Sequence, residues 1–320
     1  MAKEKKQDKM NPFQWLLYWL LLGGAKLIGL LPYCVLYRVL SPLIYFIFYH
    51  LVGYRKKVVR RNLAGAFPEK SEADRREIER KFYHHLADVF VDVLDLTSMS
   101  AKELRSRMEI TNLEEFDREV GNKSWIGALG HYGDWEYFCS FAIDHHYPNL
   151  GVYHPLSSKV MDKFMIHMRT RFGMEVIPMF NLGRRVLQCV KEQKQMAIGL
   201  IADQRAQIKF TDKRWRMFLN RPTLFIAGMG HYAKRFGMPV YVLETDQVKP
   251  SYYKCKFVCI YDGVEDISDV EIADRYVAAL EDMIRRKPEL WLWSHKRWKH
   301  VPEEGAVIYD PHTSKPIEQK

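Results

Sequence analysis

The stretch WIGALGHYGDWEYF, residues 125–138, decides the fold. Residues 125–129 form a short apolar run of the length expected for a buried strand, and Gly130 ends it. His131 then stands where this strand gives way to the next helix. Because α/β sheets build their sites at strand ends, the sequence predicts a functional histidine at this point.

The chemistry available to His131 depends on its neighbours. A neutral imidazole can take a proton from a hydroxyl, and Glu136, five residues on past a glycine turn, can hold the other ring nitrogen. The alternative is a histidine that is simply satisfied within a turn. The sequence contains no Gly-x-Ser-x-Gly motif, and Cys139 is expected to pack rather than react. Direct attack by a substrate hydroxyl is therefore favoured over a covalent enzyme intermediate.

Outward from this stretch, short apolar runs alternate with amphipathic segments, the pattern of an α/β domain. Strands are predicted at residues 125–129, 150–153, 174–177, 196–201, 240–243 and 254–261. Helices are predicted from Ser71 onward, at 159–172, 182–191 and 223–236, and after a capping box of Ser268 and Glu271. Residues 228–233 formally resemble a dinucleotide fingerprint, but their spacing puts them inside a helix. We expect an α/β fold with a mixed sheet flanked by helices.

Composition narrows the class of protein. The 320 residues are 48% hydrophobic and 28% charged, which excludes a disordered, collagenous or polytopic membrane protein. The net charge of +10 suits an anionic partner such as nucleic acid, anionic lipid or a phosphorylated substrate. The five cysteines are scattered, with no C-x-x-C pair, so we expect a reducing compartment and no thiolate zinc site.

The amino-terminal region is predicted to anchor the chain in a membrane. After a basic, polar start, residues 13–33 are almost wholly apolar and long enough for a span of roughly 20 helical residues. Residues 39–53 contain Pro42 and are expected to form a bent interfacial helix, and the basic run 54–61 follows. A cleaved signal peptide is the alternative. The predicted division is a helical anchor over 1–53, an α/β domain over 54–302 and a tail over 303–320 that is expected to be a loose end.

Five blocks occur in order along most of the chain, as far as about Lys299. They are residues 131–136, similar to H-x-G-N-W-E; 153–155 followed by Asp162 and 169–173; 202–204; 218–223 with Pro239 and Val240 beyond; and 288–299. Together they resemble the bacterial lipid A late acyltransferases, within the H-x4-D/E glycerolipid acyltransferase superfamily. The chain departs from that pattern in having Asp134 where the family usually has asparagine, and His154 where arginine commonly precedes proline.

The resemblance implies acyl transfer from a thioester on acyl carrier protein, or on coenzyme A, to a hydroxyl of a membrane glycolipid. The acceptor would be a lipid A precursor, and the setting the cytoplasmic face of a Gram-negative inner membrane with its anionic surface. His131 would be the general base and Glu136 its orienter. Five further residues would bind substrate or shape the site: Asp134, Arg169, Arg171, Asp203 and Gln204. No metal or redox cofactor is implied.

Two other functions remain open on the sequence. The same motifs would serve an acyltransferase for another glycolipid or for a lysophospholipid. A basic membrane-surface protein or nucleic-acid-binding protein without catalysis would explain the charge. That last class gives no reason for His131 and Glu136 at a strand end, so no nucleic-acid partner is expected.

Overall fold

The strands of the computed structural model, which describes residues 10–205 and 207–318, form two sheets. The strands are β1 (Met108–Ile110), β2 (Trp125–Leu129), β3 (Asn149–Tyr153), β4 (Glu175–Pro178), β5 (Ala197–Ile201), β6 (Trp215–Phe218), β7 (Arg221–Thr223), β8 (Val240–Lys249), β9 (Tyr252–Tyr261) and β10 (Ile308–Tyr309). The larger sheet has the order β1-β9-β8-β2-β5-β3-β4, and the smaller one β10-β6-β7. The basic residues 1–9, expected ahead of the anchor, lie outside the described residues.

The large sheet is mixed because its strands do not all run one way. Strands β8, β2, β5, β3 and β4 are parallel to one another, and β9 is antiparallel to β8. Alternate residues of β2 enter different apolar clusters: Ile126 and Ala128 join one, while Trp125 and Leu129 join the other. Both faces of the sheet are therefore buried, which is why the central strands read as continuous apolar runs. The predicted α/β class is confirmed.

Helices flank the large sheet. Their bounds are α1 (Pro12–Ile28), α2 (Tyr33–Leu51), α3 (Lys56–Ala66), α4 (Glu72–Asp95), α5 (Ala101–Arg107), α6 (Leu113–Val120), α7 (Lys159–Thr170), α8 (Leu182–Lys191), α9 (Met229–Phe236) and α10 (Asp269–Arg286). Short 3-10 helices occur at Trp135–Ile143, Met179–Asn181, Ile208–Phe210 and Pro288–Leu290. The predicted capping box of Ser268 and Glu271 is present at the start of α10.

Two expectations about secondary structure were wrong. The helix expected over 223–236 begins only at Met229, because residues 221–223 pair with β6 and Gly228 has a φ of 126°. Gly230 nonetheless lies in a close helix contact, since a Cβ there would be 2.0 Å from the carbonyl oxygen of Asp269. The carboxyl-terminal tail was expected to be a loose end, but Ile308 and Tyr309 form β10 and pair with β6.

The apolar amino-terminal region forms two helices. Within the described residues, α2 is the one helix long and apolar enough to cross a membrane. The sequence favoured residues 13–33 for that role, but α1 has only 17 residues. Pro42 lies in the first turn of the α-helical stretch Ser41–Phe46, directly after a π-helical turn, where its missing N–H is tolerated. This placement lets α2 continue through a proline that was expected to bend it.

Candidate active site

The register of two neighbouring strands builds the centre of the site. Strands β2 and β5 are parallel, and Leu129 is directly opposite Ile201 at their carboxyl ends. His131 and Asp203 each follow their strand by two residues, so they emerge side by side at the same sheet edge. Sites of α/β proteins form where the carboxyl ends of adjacent strands meet.

Asp203 holds His131 by two contacts. The Nδ1 atom of the imidazole is 2.6 Å from Asp203 Oδ1, and the backbone N–H of His131 donates to Oδ2 at 2.8 Å. The Trp291 indole N–H donates to the same Oδ2 at 2.8 Å. Asp203 is buried, whereas the His131 side chain is 17% exposed. Asp203 therefore orients the ring from its buried side, while part of the ring stays exposed.

The second ring nitrogen of His131 faces an amide. Gln204 Nε2 lies 3.0 Å from His131 Nε2. Because Nδ1 donates its proton to the Asp203 carboxylate, Nε2 carries the lone pair and accepts from the Gln204 amide. The atom that would take a substrate proton is thus Nε2, next to Gln204.

Charges around Asp203 keep its carboxyl group ionised. Burial by itself raises the pKa of Asp203, but the charge of His131 and hydrogen bonds from it lower the pKa below its usual value. Arg297 is buried nearby and donates to the backbone carbonyl of Leu224 at 2.6 Å. Burial lowers the pKa of Arg297 to about 10, and the charge of Asp203 acts in the opposite direction. A cation in the core therefore supports the negative charge of Asp203.

Glu136 has a different partner from the one the sequence suggested. Arg169 donates to Glu136 Oε2 through Nε at 2.7 Å and to Oε1 through Nη2 at 2.6 Å. Burial raises the pKa of Glu136, but the charge and hydrogen bonds of Arg169 and the charge of His131 outweigh it and lower the pKa. Because both oxygens are taken by the arginine fork, Glu136 does not make the orienting contact expected of it, and Asp203 makes that contact instead, at Nδ1 of His131.

Two other predicted site residues are held by the protein itself. The Asp134 carboxylate is buried and accepts the backbone N–H of Glu136 at 2.9 Å, capping the 3-10 helix Trp135–Ile143. The Arg171 guanidinium donates to the backbone carbonyls of Leu96 and Met99, just beyond the end of α4. The structure therefore brings together five of the predicted residues, His131, Glu136, Arg169, Asp203 and Gln204, and commits Asp134 and Arg171 to backbone contacts.

The sequence reasoning missed the contribution of residues 288–295. Trp291 supports Asp203, the backbone N–H of Leu292 donates to the His131 carbonyl at 3.0 Å, and Tyr132 forms a β-bridge with Trp291. His295 Nε2 accepts the backbone N–H of Arg205 at 3.2 Å. Burial and the charge of Arg297 lower the pKa of His295 to about 4, so its ring stays neutral. The dense tryptophans of this segment were the available signal.

Cys139 is not placed to act as a nucleophile. Its side chain is buried in the apolar cluster that contains Phe138 and Phe141. Burial, with the charge of Glu136, raises the pKa of the thiol. A thiol kept protonated in the core has no thiolate with which to attack a substrate.

A neutral histidine oriented by a buried carboxylate at parallel strand ends is chemically able to take a proton from a hydroxyl group, and a buried arginine–carboxylate pair lies beside it. Residues 2–300 match the family model described as bacterial lipid A biosynthesis acyltransferase. The chain belongs to that family, and it is an acyltransferase. A comparison with curated protein sequences found no match.

Proposed function

We propose that this acyltransferase moves a fatty acyl chain from an acyl carrier protein thioester to a hydroxyl of a lipid A precursor. The observation that carries the proposal is the 2.6 Å contact between His131 Nδ1 and Asp203 Oδ1 in a chain of this family. The contact leaves Nε2 as the base. The acceptor hydroxyl displaces the Gln204 amide and donates its proton to Nε2.

The reaction then balances without a covalent enzyme intermediate. As Nε2 takes the proton, the hydroxyl oxygen attacks the thioester carbonyl carbon and an oxyanion forms. Collapse of this intermediate breaks the carbon–sulfur bond, and the thiol leaves with the proton that the imidazolium returns. The Asp203 carboxylate stabilises the imidazolium between these two steps.

Arg169 is the cation that we assign to the oxyanion. Its Nε and Nη2 are used by Glu136, and Nη1 has no hydrogen-bond partner among residues 10–205 and 207–318. The ion pair with Glu136 fixes the guanidinium, so that the remaining donor is preorganised. In this scheme Glu136 acts through Arg169 and through its charge on His131, rather than by holding the ring.

An assay with two donors and two acceptors tests the proposal. Purified protein in detergent is given acyl carrier protein or coenzyme A thioesters, with a lipid A precursor or a lysophospholipid as acceptor. We expect transfer from the carrier protein thioester to the lipid A precursor. His131→Ala should lower it about 10²- to 10⁴-fold, the usual contribution of a general base.

The matched control is His154→Ala, because His154 is exposed and its ring contacts the carbonyl of Pro155 and the edge of the Phe180 ring rather than a site residue. It should keep near-normal activity. Preference for lysophospholipid would favour the other acyltransferase function, and a fully active His131→Ala would contradict the mechanism. Mass spectrometry of membrane lipids from cells with and without the gene identifies the acceptor.

We propose that the amino-terminal helices hold the enzyme at the cytoplasmic face of the inner membrane. Large apolar side chains of α1 and α2 are exposed: Phe13, Trp15, Leu16, Trp19, Leu20, Leu27, Val39, Leu43, Phe46 and Leu51. An exposed apolar surface of this kind requires a partner such as lipid. Replacing Trp15, Trp19 and Leu20 by glutamine should move protein to the soluble fraction. Removing residues 1–53 should also destabilise the fold, since Ser41 Oγ donates to buried Asp88 Oδ1 at 2.5 Å.

A further inference from the structure

Two buried carboxyl groups meet beside the turn that carries His131. Asp92 is on α4, and its Oδ1 accepts hydrogen bonds from the hydroxyls of Tyr37 and, at 3.0 Å, Tyr137. Asp134 follows His131 by three residues, and its Oδ1 accepts the Glu136 N–H. One oxygen of each carboxyl group therefore accepts at least one hydrogen bond.

The second oxygen of each carboxyl group lacks a hydrogen bond. Asp92 Oδ2 and Asp134 Oδ2 are both buried, and neither finds a donor in the described part of the chain. Tyr137 joins the two residues, because its hydroxyl donates to Asp92 Oδ1 at 3.0 Å and its backbone N–H donates to the carbonyl oxygen of Asp134 at 3.2 Å. The charge of Asp92 and a hydrogen bond with it also act on the pKa of Asp134. Two ionised carboxylates only accept, so they would repel each other at this spacing and leave two unpaired acceptors in the core. A single proton between them removes the repulsion and gives both oxygens a hydrogen-bond partner.

We propose that one proton, carried on Asp134 Oδ2 and donated to Asp92 Oδ2, ties the turn after His131 to α4 and makes Asp134 a positioning residue. An amide donates to Asp92 without needing a proton, whereas a carboxyl group donates only while it is protonated.

The surroundings decide which group keeps the proton. Asp92 receives two hydroxyl donors and lies near the Arg107 cation, both of which favour its ionised form. Asp134 has one backbone donor and lies near the Glu136 carboxylate. Burial, followed by the charge of Asp92 and a hydrogen bond with it, raises the pKa of Asp134 well above its usual range.

Other ionisable groups face this pair from every side. They are Asp88 and Asp95 on α4, Tyr37 on α2, Arg107 on α5, Glu136 and Tyr137 on the 3-10 helix, and Tyr253 on β9. Burial raises the pKa of Asp88 to about 7 and that of Asp95 to about 6. Any test must therefore compare variants that retain Asp88 and Asp95.

The sign of the pH dependence follows from linkage. The unfolded chain releases the proton of Asp134 near its ordinary value of 3.8, while the folded protein keeps it. The stabilisation is complete below that pH, declines as pH rises and is lost once the folded pair itself ionises. Asp134→Asn and Asp92→Asn each provide an amide donor that does not titrate, so their stability should lack this decline.

The first experiment measures thermal unfolding midpoints of the full-length protein in detergent from pH 5 to 9. The midpoint of Asp134→Asn should gain on the wild type steadily as pH rises, and Asp92→Asn should behave alike. Asp144→Asn is the matched control, because Asp144 is an exposed partner of Arg105, and it should run parallel to the wild type. A constant difference across the pH range for both pair variants would overturn the shared proton.

The second experiment observes the proton directly. In the infrared difference spectrum of the wild type minus Asp134→Asn at pH 7, the bands of Asp88 and Asp95 cancel, and a protonated carboxyl carbonyl band from Asp134 should remain. Absence of that band from the difference spectrum would also overturn the proposal. Neither measurement needs substrate, so their outcome is separate from that of the proposed acyl transfer.

The positioning role rests on the proposed action of His131 and has its own readout. In the acyl-transfer assay, Asp134→Ala should lower kcat roughly tenfold, because the turn loses its tie to α4. Asp134→Asn should rescue most of that loss and raise the ratio of activity at pH 9 to activity at pH 7 above that of the wild type. If Asp134→Asn is as slow as Asp134→Ala and its pH profile matches that of the wild type, Asp134 only fills space in the core and is not a positioning residue.

Discussion

Asp203 and Glu136 are two buried carboxylates close to one histidine, and they have different partners. Asp203, at the end of β5, contacts the imidazole and the backbone N–H of His131. Glu136, in the 3-10 helix after His131, gives both oxygens to Arg169. Glu136 has the spacing from His131 that the family motif marks, yet Asp203, 72 residues away, makes the contact. Strand register, more than spacing within a motif, selects the acid that contacts the imidazole of His131.

Asp203→Asn is the largest test of this comparison. An amide cannot accept from both the His131 N–H and Nδ1–H, nor can it stabilise an imidazolium, so the ring should lose its orientation and its counter-charge. We expect kcat to fall about 10²- to 10⁴-fold, measured with carrier protein thioester. Asp162→Asn is the control, because that aspartate only caps the Leu156 N–H. Near-normal activity of Asp203→Asn would show that the His131 ring does not depend on the Asp203 carboxylate.

Arg169→Ala tests the Glu136 side. Removal of the guanidinium should lower turnover by about a hundredfold, the scale of losing one donor to an oxyanion. Arg185→Ala removes a similar two-pronged pair, with Glu175, and should leave turnover unchanged. If only the KM for a substrate changes in Arg169→Ala, the arginine is a binding contact and not an oxyanion donor.

Glu136→Gln should lower kcat less than Asp203→Asn or Arg169→Ala does. The glutamine carbonyl still accepts one hydrogen bond from Arg169, so we expect kcat to fall about tenfold, which corresponds to losing one charge-assisted hydrogen bond. Glu136→Ala should cost more than Glu136→Gln. A Glu136→Gln enzyme as impaired as Asp203→Asn would instead show that both carboxylates orient the ring, and the contrast between them would disappear.

Trp291→Phe should have the smallest effect on kcat of these four variants. It removes one of the donors to Asp203 while keeping an aromatic ring in the core, so kcat should fall about fivefold. Trp298→Phe is the matched control, since its indole N–H donates to Thr223 Oγ1 rather than to a site residue. An unchanged rate in Trp291→Phe would mean that His131 alone suffices to hold the Asp203 carboxylate.

The sequence predicted the limits of an element most accurately where those limits depend on the element's own residues. The limits of β2 and α8 agree with the predicted residues, and the capping box of α10 is present. The expectations that were wrong concern pairing over distance. Residues 221–223 and 308–309 form strands only because β6 lies between them, a fact that neither segment contains.

The candidate site divides in the same way. The sequence by itself determined the α/β class, the family, and the residue types at the strand ends, because burial and capping leave patterns within a few residues. Tertiary structure alone decided that Asp203 holds His131, that Arg169 pairs with Glu136, and that the Asp134 carboxyl group is buried. The physical reason is that hydrogen bonds form between atoms about 3 Å apart, and the parallel register of β2 and β5 sets that distance for residues far apart in the chain.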